Sequence, residues 1–286
     1  MKQLIAVAAG LAAAGCGSAA SSGGTPTVPA PVSRERVTPG AVVLYRARPA
    51  EQFAVHRRDS LVLELSAAPQ TQTFERTAYV RVAVTDASGG SRVVVSLDSL
   101  RTEPGSAVPR DSLAPPDGSR WTATLSPTGL LTDIVASDTS PVSDRLRSVL
   151  PLLFPRLPDG GARVGASWSD TTDSRLRVNA FDAKEQAIVH SRATALDGQG
   201  AGRTLTIESD GTYTQTGKGS PFGQPMEMRA SGTRHGIAHL GLDGALLDAE
   251  GSDTGDLTIN VPEVGQSVPA HRTSSYRITA LSRAPR

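Results

Sequence analysis

The chain has 286 residues, with 29 Lys and Arg against 28 Asp and Glu, for a formal net charge of +1. That balance excludes the basic surface of a nucleic-acid binder, and aromatics at 4% are too few for base-stacking platforms; the same shortage argues against a carbohydrate-binding cleft. A single cysteine excludes an intrachain disulfide framework and any CxxC redox or zinc motif.

The N-terminus begins Met1-Lys2-Gln3, with one positive charge, and continues as an uncharged run of Leu, Ile, Val, Ala and Gly from Leu4 to Ala14. A run of about eleven residues is too short to cross roughly 30 Å of hydrocarbon. It has the length of a secretory h-region behind a basic n-region. Ala13-Ala14-Gly15 then leads straight into Cys16, the lone cysteine. This stretch resembles a bacterial lipobox, departing from it at Ala13, where Leu is commoner. The resemblance implies diacylglycerol on the Cys16 sulfur, signal cleavage between Gly15 and Cys16, and acylation of the new N-terminus. Several acyl chains anchor stably where one binds only marginally. Gly17, in place of the Asp of inner-membrane retention signals, points to the outer membrane. Ser18 to Arg34, "SAASSGGTPTVPAPVSR", has no hydrophobic period and little charge, so 16–36 reads as a flexible tether behind the 1–15 signal.

Beyond the tether, roughly 250 residues suffice for a sizeable core. Period-2 alternation dominates them, the signature of half-buried strands. In "TAYVRVAVT", Ala78, Val80, Val82 and Val84 share one face; "SRLRVNAF" and "SSYRITAL" alternate in the same way. Turn chemistry falls at "DASGGS" (86–91), "DGQGAG" (197–202) and "SDGT" (209–212). The expected fold is mainly β: an antiparallel meander forming a curved sheet or two β lobes, 37–172 and 173–286.

One short amphipathic helix is expected near 141–150. Ser140 is a suitable N-cap, Pro141 suits the first helical position, and Val142, Leu146, Val149, Leu150 and Leu153 follow helical spacing. Pro151 should end it near Leu150. Its expected task is to cover the concave sheet face, with Arg145 and Arg147 outward and Phe154 near the rim. These apolar side chains then either plug the concavity or line a site for an apolar ligand.

The chain also repeats itself. "LSPTGLLTDI" (125–134) parallels "LGLDGALLDA" (240–249), and "LPDGGARVGASWSDTTDSRLRV" (157–178) parallels "VPEVGQSVPAHRTSSYRITA" (261–280). Two copies are too few for a stacked array, so duplicated halves or chance similarity between β-turn-β units are the alternatives. The lipobox, the tether, "LSPTGLLTDI" and "LPDGGARVGASW" together resemble an uncharacterised family of bacterial β-rich lipoproteins. At the level of architecture the chain is similar to periplasmic lipoprotein carriers, which would imply an apolar ligand cavity.

Catalytic and metal-binding patterns fail one by one. His235 and His239 lack the Glu of HExxH, and "GASWS" (165–169) ends in Ser where the nucleophile elbow needs Gly. "GTYTQTGKG" (211–219) misspaces a phosphate loop and reads as a hairpin. Asp170 with Asp173, and Asp253 with Asp256, read as solvated loop acids without EF-hand spacing. Trp121 and Trp168 read as core or rim packing. No catalytic residue, metal ligand or cofactor is expected, and no two of the five histidines should meet in a pocket with Ser, Asp or Glu in reach. The expected protein is a lipid-anchored envelope protein, structural or partner-binding and non-enzymatic. The alternatives are a carrier for a lipid-like ligand and, remotely, a hydrolase.

Overall fold

The computed structural model describes residues 42–282, apart from 66–67, 89, 105, 107–117, 141–142, 144–145, 148, 179–180 and 221–222. Gly15, Cys16 and Val142 lie outside the described residues, as does Arg145. The strands are β1 (Arg48–Leu63), β2 (Gln70–Ala87), β3 (Gly90–Thr102), β4 (Arg120–Leu125), β5 (Leu131–Ala136), β6 (Ser167–Val178), β7 (Phe181–Asp197), β8 (Thr204–Gly219), β9 (Met226–Gly241), β10 (Leu246–Val261) and β11 (Gln266–Ser282). They form one antiparallel sheet in the order β5-β4-β3-β2-β1-β11-β10-β9-β8-β7-β6.

The chain is therefore mainly β, as the alternation predicts. Two meanders, β1–β5 and β6–β11, are joined where β1 pairs with β11. The expected lobe boundary at 172/173 falls inside β6, and strands of both halves share one sheet rather than two. The sheet is open, with β5 and β6 as its edges and the segment 137–166 running between them. Two turn readings need correction, because "SDGT" and "GTYTQTGKG" lie within β8. Thr, Ser and Tyr at alternate positions kept those Gly-containing stretches extended. The acid pairs at 170/173 and 253/256 likewise sit in β6 and β10 rather than in loops.

Because successive side chains alternate between faces, register divides the sheet into an inner and an outer side. Inner-facing Val55 lies beside Ala78 on β2 and Ile278 on β11, and that row continues through Ala249, Ala238, Ile207 and Ala193. All seven belong to the buried set. Their cover is the segment after β5. Ser143 donates its N–H to Ser140 Oγ at 3.1 Å, the expected N-cap, and residues 143, 146 and 147 are helical. The segment then tightens into a 3-10 turn, Leu150–Leu153, with Pro151 at its start. Leu146, Val149, Leu150, Leu153 and Phe154 are each at most 4% exposed and join the core of the sheet. Arg147 is exposed. Phe154 is not at the rim as expected. It is 1% exposed, edge-on to Tyr45 at 5.8 Å, with the Arg48 guanidinium 5.7 Å from its ring.

The internal similarity is real at the level of turns. In the β4–β5 hairpin Ser126 N–H donates to Leu130 O and Gly129 N–H to Ser126 O; in β9–β10 Gly241 donates to Ala245 O and Gly244 to Gly241 O. The second pair matches too, Gly161 donating to Pro158 O and Gly265 to Pro262 O. Gly129 and Gly244 both adopt positive φ, 85° and 77°, which only glycine tolerates freely. Both also press on residues 44–45: a Cβ on Gly129 would lie 2.7 Å from Tyr45 Cε2, and one on Gly244 2.7 Å from Leu44 O.

The buried segment makes a direct prediction. Each of its core side chains contributes about 1.5–3 kcal/mol by leaving water. Leu153→Ala should cost about 2–5 kcal/mol in a urea titration, since a cavity adds to the lost transfer energy. Leu146→Asp with Leu150→Asp should abolish cooperative unfolding, and a variant as stable as the parent would show that the segment is not packed on the sheet.

Candidate functional site

Past the apolar row, the inner face turns polar. Arg57, Arg76, Arg234 and Arg272 meet Asp59, Asp253 and Glu185 on neighbouring strands. Asp59 accepts from Arg57 at 3.0 Å and from Ser274 Oγ at 2.6 Å, with Arg76 at 3.9 Å. Arg272 donates to Asp253 and to the Tyr213 hydroxyl, both at 3.1 Å. Arg234 reaches Glu185 at 3.1 Å, and Gln215 donates its amide to the same carboxylate. The Arg234 and Arg272 guanidiniums lie 4.8 and 5.5 Å from the Tyr213 ring centre. Two cations over one ring exploit its negative faces, a contact that strengthens as water is excluded.

Glycine makes this layer possible. A Cβ on Gly255 would sit 2.4 Å from the Tyr213 hydroxyl, and one on Gly251 2.7 Å from the Tyr276 ring. The two tyrosines thus lie over strands stripped of side chains. Beyond the layer, Phe181, Ala183 and Met228 form a second small buried cluster.

This layer is not poised for proton transfer. Burial pushes the Asp59 carboxyl up, but Arg57, the Ser274 hydroxyl and Arg76 outweigh it and hold the group below its ordinary value. Burial raises the Tyr213 and Tyr276 phenols. Every carboxylate in the layer already has a partner. Asp138, beside the buried segment, is lowered to about 2, chiefly by its hydrogen bond with Ser140 and also by the Ser143 and Ser119 hydroxyls at 2.8 and 3.0 Å.

The outer face carries a different pattern. Register places Thr171, Ile188, Thr212, Thr233, Thr254 and Thr273 in one row across β6–β11, continuing to Ser60 and Thr73. On one side lies the row Ser169, His190, Asp210, His235, Ser252, Ser275, and on the other Asp173, Gln186, Thr214, Ser231, Asp256, His271. None of these positions is Lys or Arg, and all those on β6–β11 are exposed. Short side chains flanked by imidazoles leave a depression of about 360 Å³ lined by His190, Asp210, Gly211, Thr212, Thr233, Arg234, His235, Ser252 and Thr254. A smaller one, about 240 Å³, lies beside Gln52, Tyr79, Asp98 and Arg101.

Here an expectation fails. His190 and His235 do meet in one depression, with Asp210 bonded to His235 Nδ1 at 2.8 Å and Ser169 Oγ 2.7 Å from His190 Nδ1. The constellation arises because Ser169, His190 and Asp210, spread over three strands, fall opposite one another in register. As catalytic machinery it is incomplete. Asp210 is 76% exposed and bonded to the other imidazole, and the serine sits in open water on an edge strand. Serine activation needs a base oriented by a third group, and developing charge needs a dry, preorganised donor site.

The remaining histidines lie apart. His239 pairs with Asp248 at 2.6 Å, His271 with Asp256 at 3.1 Å and His56 with Glu75 at 3.3 Å. Among the described residues no group of three or more His, Cys, Asp or Glu is arranged to hold a metal ion. Trp121 is 1% exposed in the core, and Trp168 packs partly buried against it. Neither the inner ionic layer nor the hydroxyl rows were read from the sequence. The available signal was parity: Arg57 and Asp59, or Arg234 between Gly232 and Gly236, occupy positions of the apolar face.

No protein-family model matches the chain, and no curated protein matches it. Among solved structures, the crystal structure of Pseudomonas aeruginosa OccK2 (OpdF) aligns over 84% of this chain and 100% of that one, at 9% identity and a TM-score of 0.24.

The depressed carboxyls set an acid limit. A carboxyl lowered in the folded state adds stability above its ordinary pKa of about 4 and loses it as pH falls through the folded value. Urea midpoints should therefore be level above about pH 5 and drop below pH 4, and Asp138→Asn should give a lower midpoint at pH 7 with a shallower acid decline. An unchanged acid slope in that variant would remove Asp138 from the account.

Proposed function

We propose that the chain is an acylated envelope lipoprotein whose β domain is a non-enzymatic structural or partner-binding module. The membrane is engaged through Cys16, after cleavage behind Gly15, with the domain facing the periplasm from the outer membrane and contacting another envelope protein. The observation that carries the module reading is the burial of Leu146, Val149, Leu150, Leu153 and Phe154, none above 4% exposed. These side chains pack into the apolar core on the inner face, where a lipid-like ligand would need room. The two depressions described above are open and lie away from this segment. Lipid anchoring rests on the lipobox resemblance and the tether behind it.

The outer face argues against membrane insertion of the sheet itself. Lipid-facing strands need an apolar outward band and paired edges. Here the outward rows are Thr, Ser, His, Asp and Gln, and β5 and β6 are unpaired edges. Among the described residues no helix is long and apolar enough to cross a membrane.

Three measurements test this reading. Cys16→Ala should block diacylglycerol labelling and signal processing, and a variant that matures and partitions like the parent overturns the anchor. Native mass spectrometry of the mature domain purified from cells should show no lipid beyond any covalent acyl chains at Cys16; further, non-covalently co-purifying lipid would restore the carrier reading. Hydrolysis of p-nitrophenyl acetate should not exceed that of free imidazole at the same concentration. A rate well above it, lost on Ser169→Ala or His190→Ala, would make the outer row an active site.

A further inference from the structure

The outer depression has features that a structural role does not use. Its floor is hydroxyl: Thr212, Thr233 and Thr254 stand side by side on β8, β9 and β10, Thr233 Oγ1 lying 3.4 Å from Thr254 Oγ1. Its walls are His190 and His235, whose imidazoles donate and accept, and Asp210, whose carboxylate accepts. At about 360 Å³ it falls in the ordinary range for small-ligand sites, roughly 300–1,000 Å³. The floor also continues on one side, since the hydroxyl row runs on to Thr273 on β11; on the other, Ile188 of β7 separates Thr212 from Thr171.

Charge narrows the ligand. The three rows from β6 to β11 hold Asp173, Asp210 and Asp256 and no Lys or Arg, although the chain has 29 such residues. Phosphorylated or carboxylated ligands would meet these carboxylates, while the one guanidinium at the depression, Arg234, is already paired with Glu185 on the inner side. An apolar ligand would cover hydroxyls and imidazoles without pairing them, which is costly. A neutral polyhydroxylated chain pairs with all of these groups.

We propose that this face binds a neutral glycan chain lying across β8–β10, with the depression seating one or two of its sugar rings. The inference does not depend on the Cys16 anchor. With no aromatic ring in the depression to stack on a sugar, recognition is by hydrogen bonds alone and each ring contributes little. Affinity then grows with chain length along the row, because successive rings bind as linked sites.

The test is calorimetric titration of the purified full chain with chitotetraose, cellotetraose and maltotetraose, and with the dimer of each. At least one tetramer should bind in the millimolar range or tighter, at least several-fold better than its dimer. Thr233→Lys with Thr254→Lys should weaken it at least tenfold at an unchanged melting temperature, while Glu250→Lys, one row away from the site, leaves it intact. If the double lysine variant does not fold, Thr233→Val with Thr254→Val serves instead, with the same expected loss. No response to any neutral tetramer, or binding indifferent to these substitutions, overturns the proposal. Equal binding of a tetragalacturonate would overturn the charge argument that selects a neutral chain.

Discussion

The fold depends on covering one apolar row. Seven strands present Ala78, Val55, Ile278, Ala249, Ala238, Ile207 and Ala193 to the inside of a single open sheet, and a sheet cannot bury its own face. The cover comes from the segment linking the two edge strands. That choice has a consequence. The same stretch that fills the core connects β5 to β6 in the chain, so covering the row and linking the two meanders fall to one segment. Asp138 secures its entry by taking three hydroxyl and amide donors, and Arg48 closes its exit over Tyr45 and Phe154.

Further along, the inner face solves a different problem. Strands of 16 and 17 residues outrun the covering segment, so their inward positions need other neighbours. Ion pairs fill that space, with two guanidiniums stacked on Tyr213. These pairs are partly exposed, 21% and 20% for Arg272 and Asp253, so they contribute little net stability over well-packed apolar groups. Their value here is register. Arg272 meets Asp253 and Tyr213 across glycines in β9 and β10, and a one-residue slip would turn all of them to the outer side. The glycines enforce the same alignment, because Gly255 and Gly232 leave room for Tyr213, and Gly251 and Gly236 for Tyr276.

Much of this architecture was legible from local pattern. The valines of "TAYVRVAVT", the Ser140 cap, the stop at Pro151 and the paired hairpins all follow from rules that act within a few residues. What was not legible is set by register. Ser169, His190, Asp210 and His235 are 66 positions apart at their extremes, and nothing local says that they fall into one row. "SDGT" and "GTYTQTGKG" were misread for a related reason. Glycine punctuates a turn in isolation, but inside a long strand it marks the close approach of a neighbour, as where a Cβ on Gly211 would lie 2.5 Å from Ile188 O.

The two faces also show why position in a sheet matters more than residue type. Arginine on the inner side is enclosed, stacked and paired, while the central outer rows exclude it. Aspartate occurs on both sides, yet inside it answers arginine and outside it faces histidine and serine. A tally of charges near neutrality hides this division completely. Inside, the guanidiniums stack on Tyr213 and pair with carboxylates, whereas on the outside they would fold over the short hydroxyl side chains beside them. Keeping those rows free of long cations leaves the hydroxyls of β8–β10 open to water and to whatever hydrogen-bonds as water does.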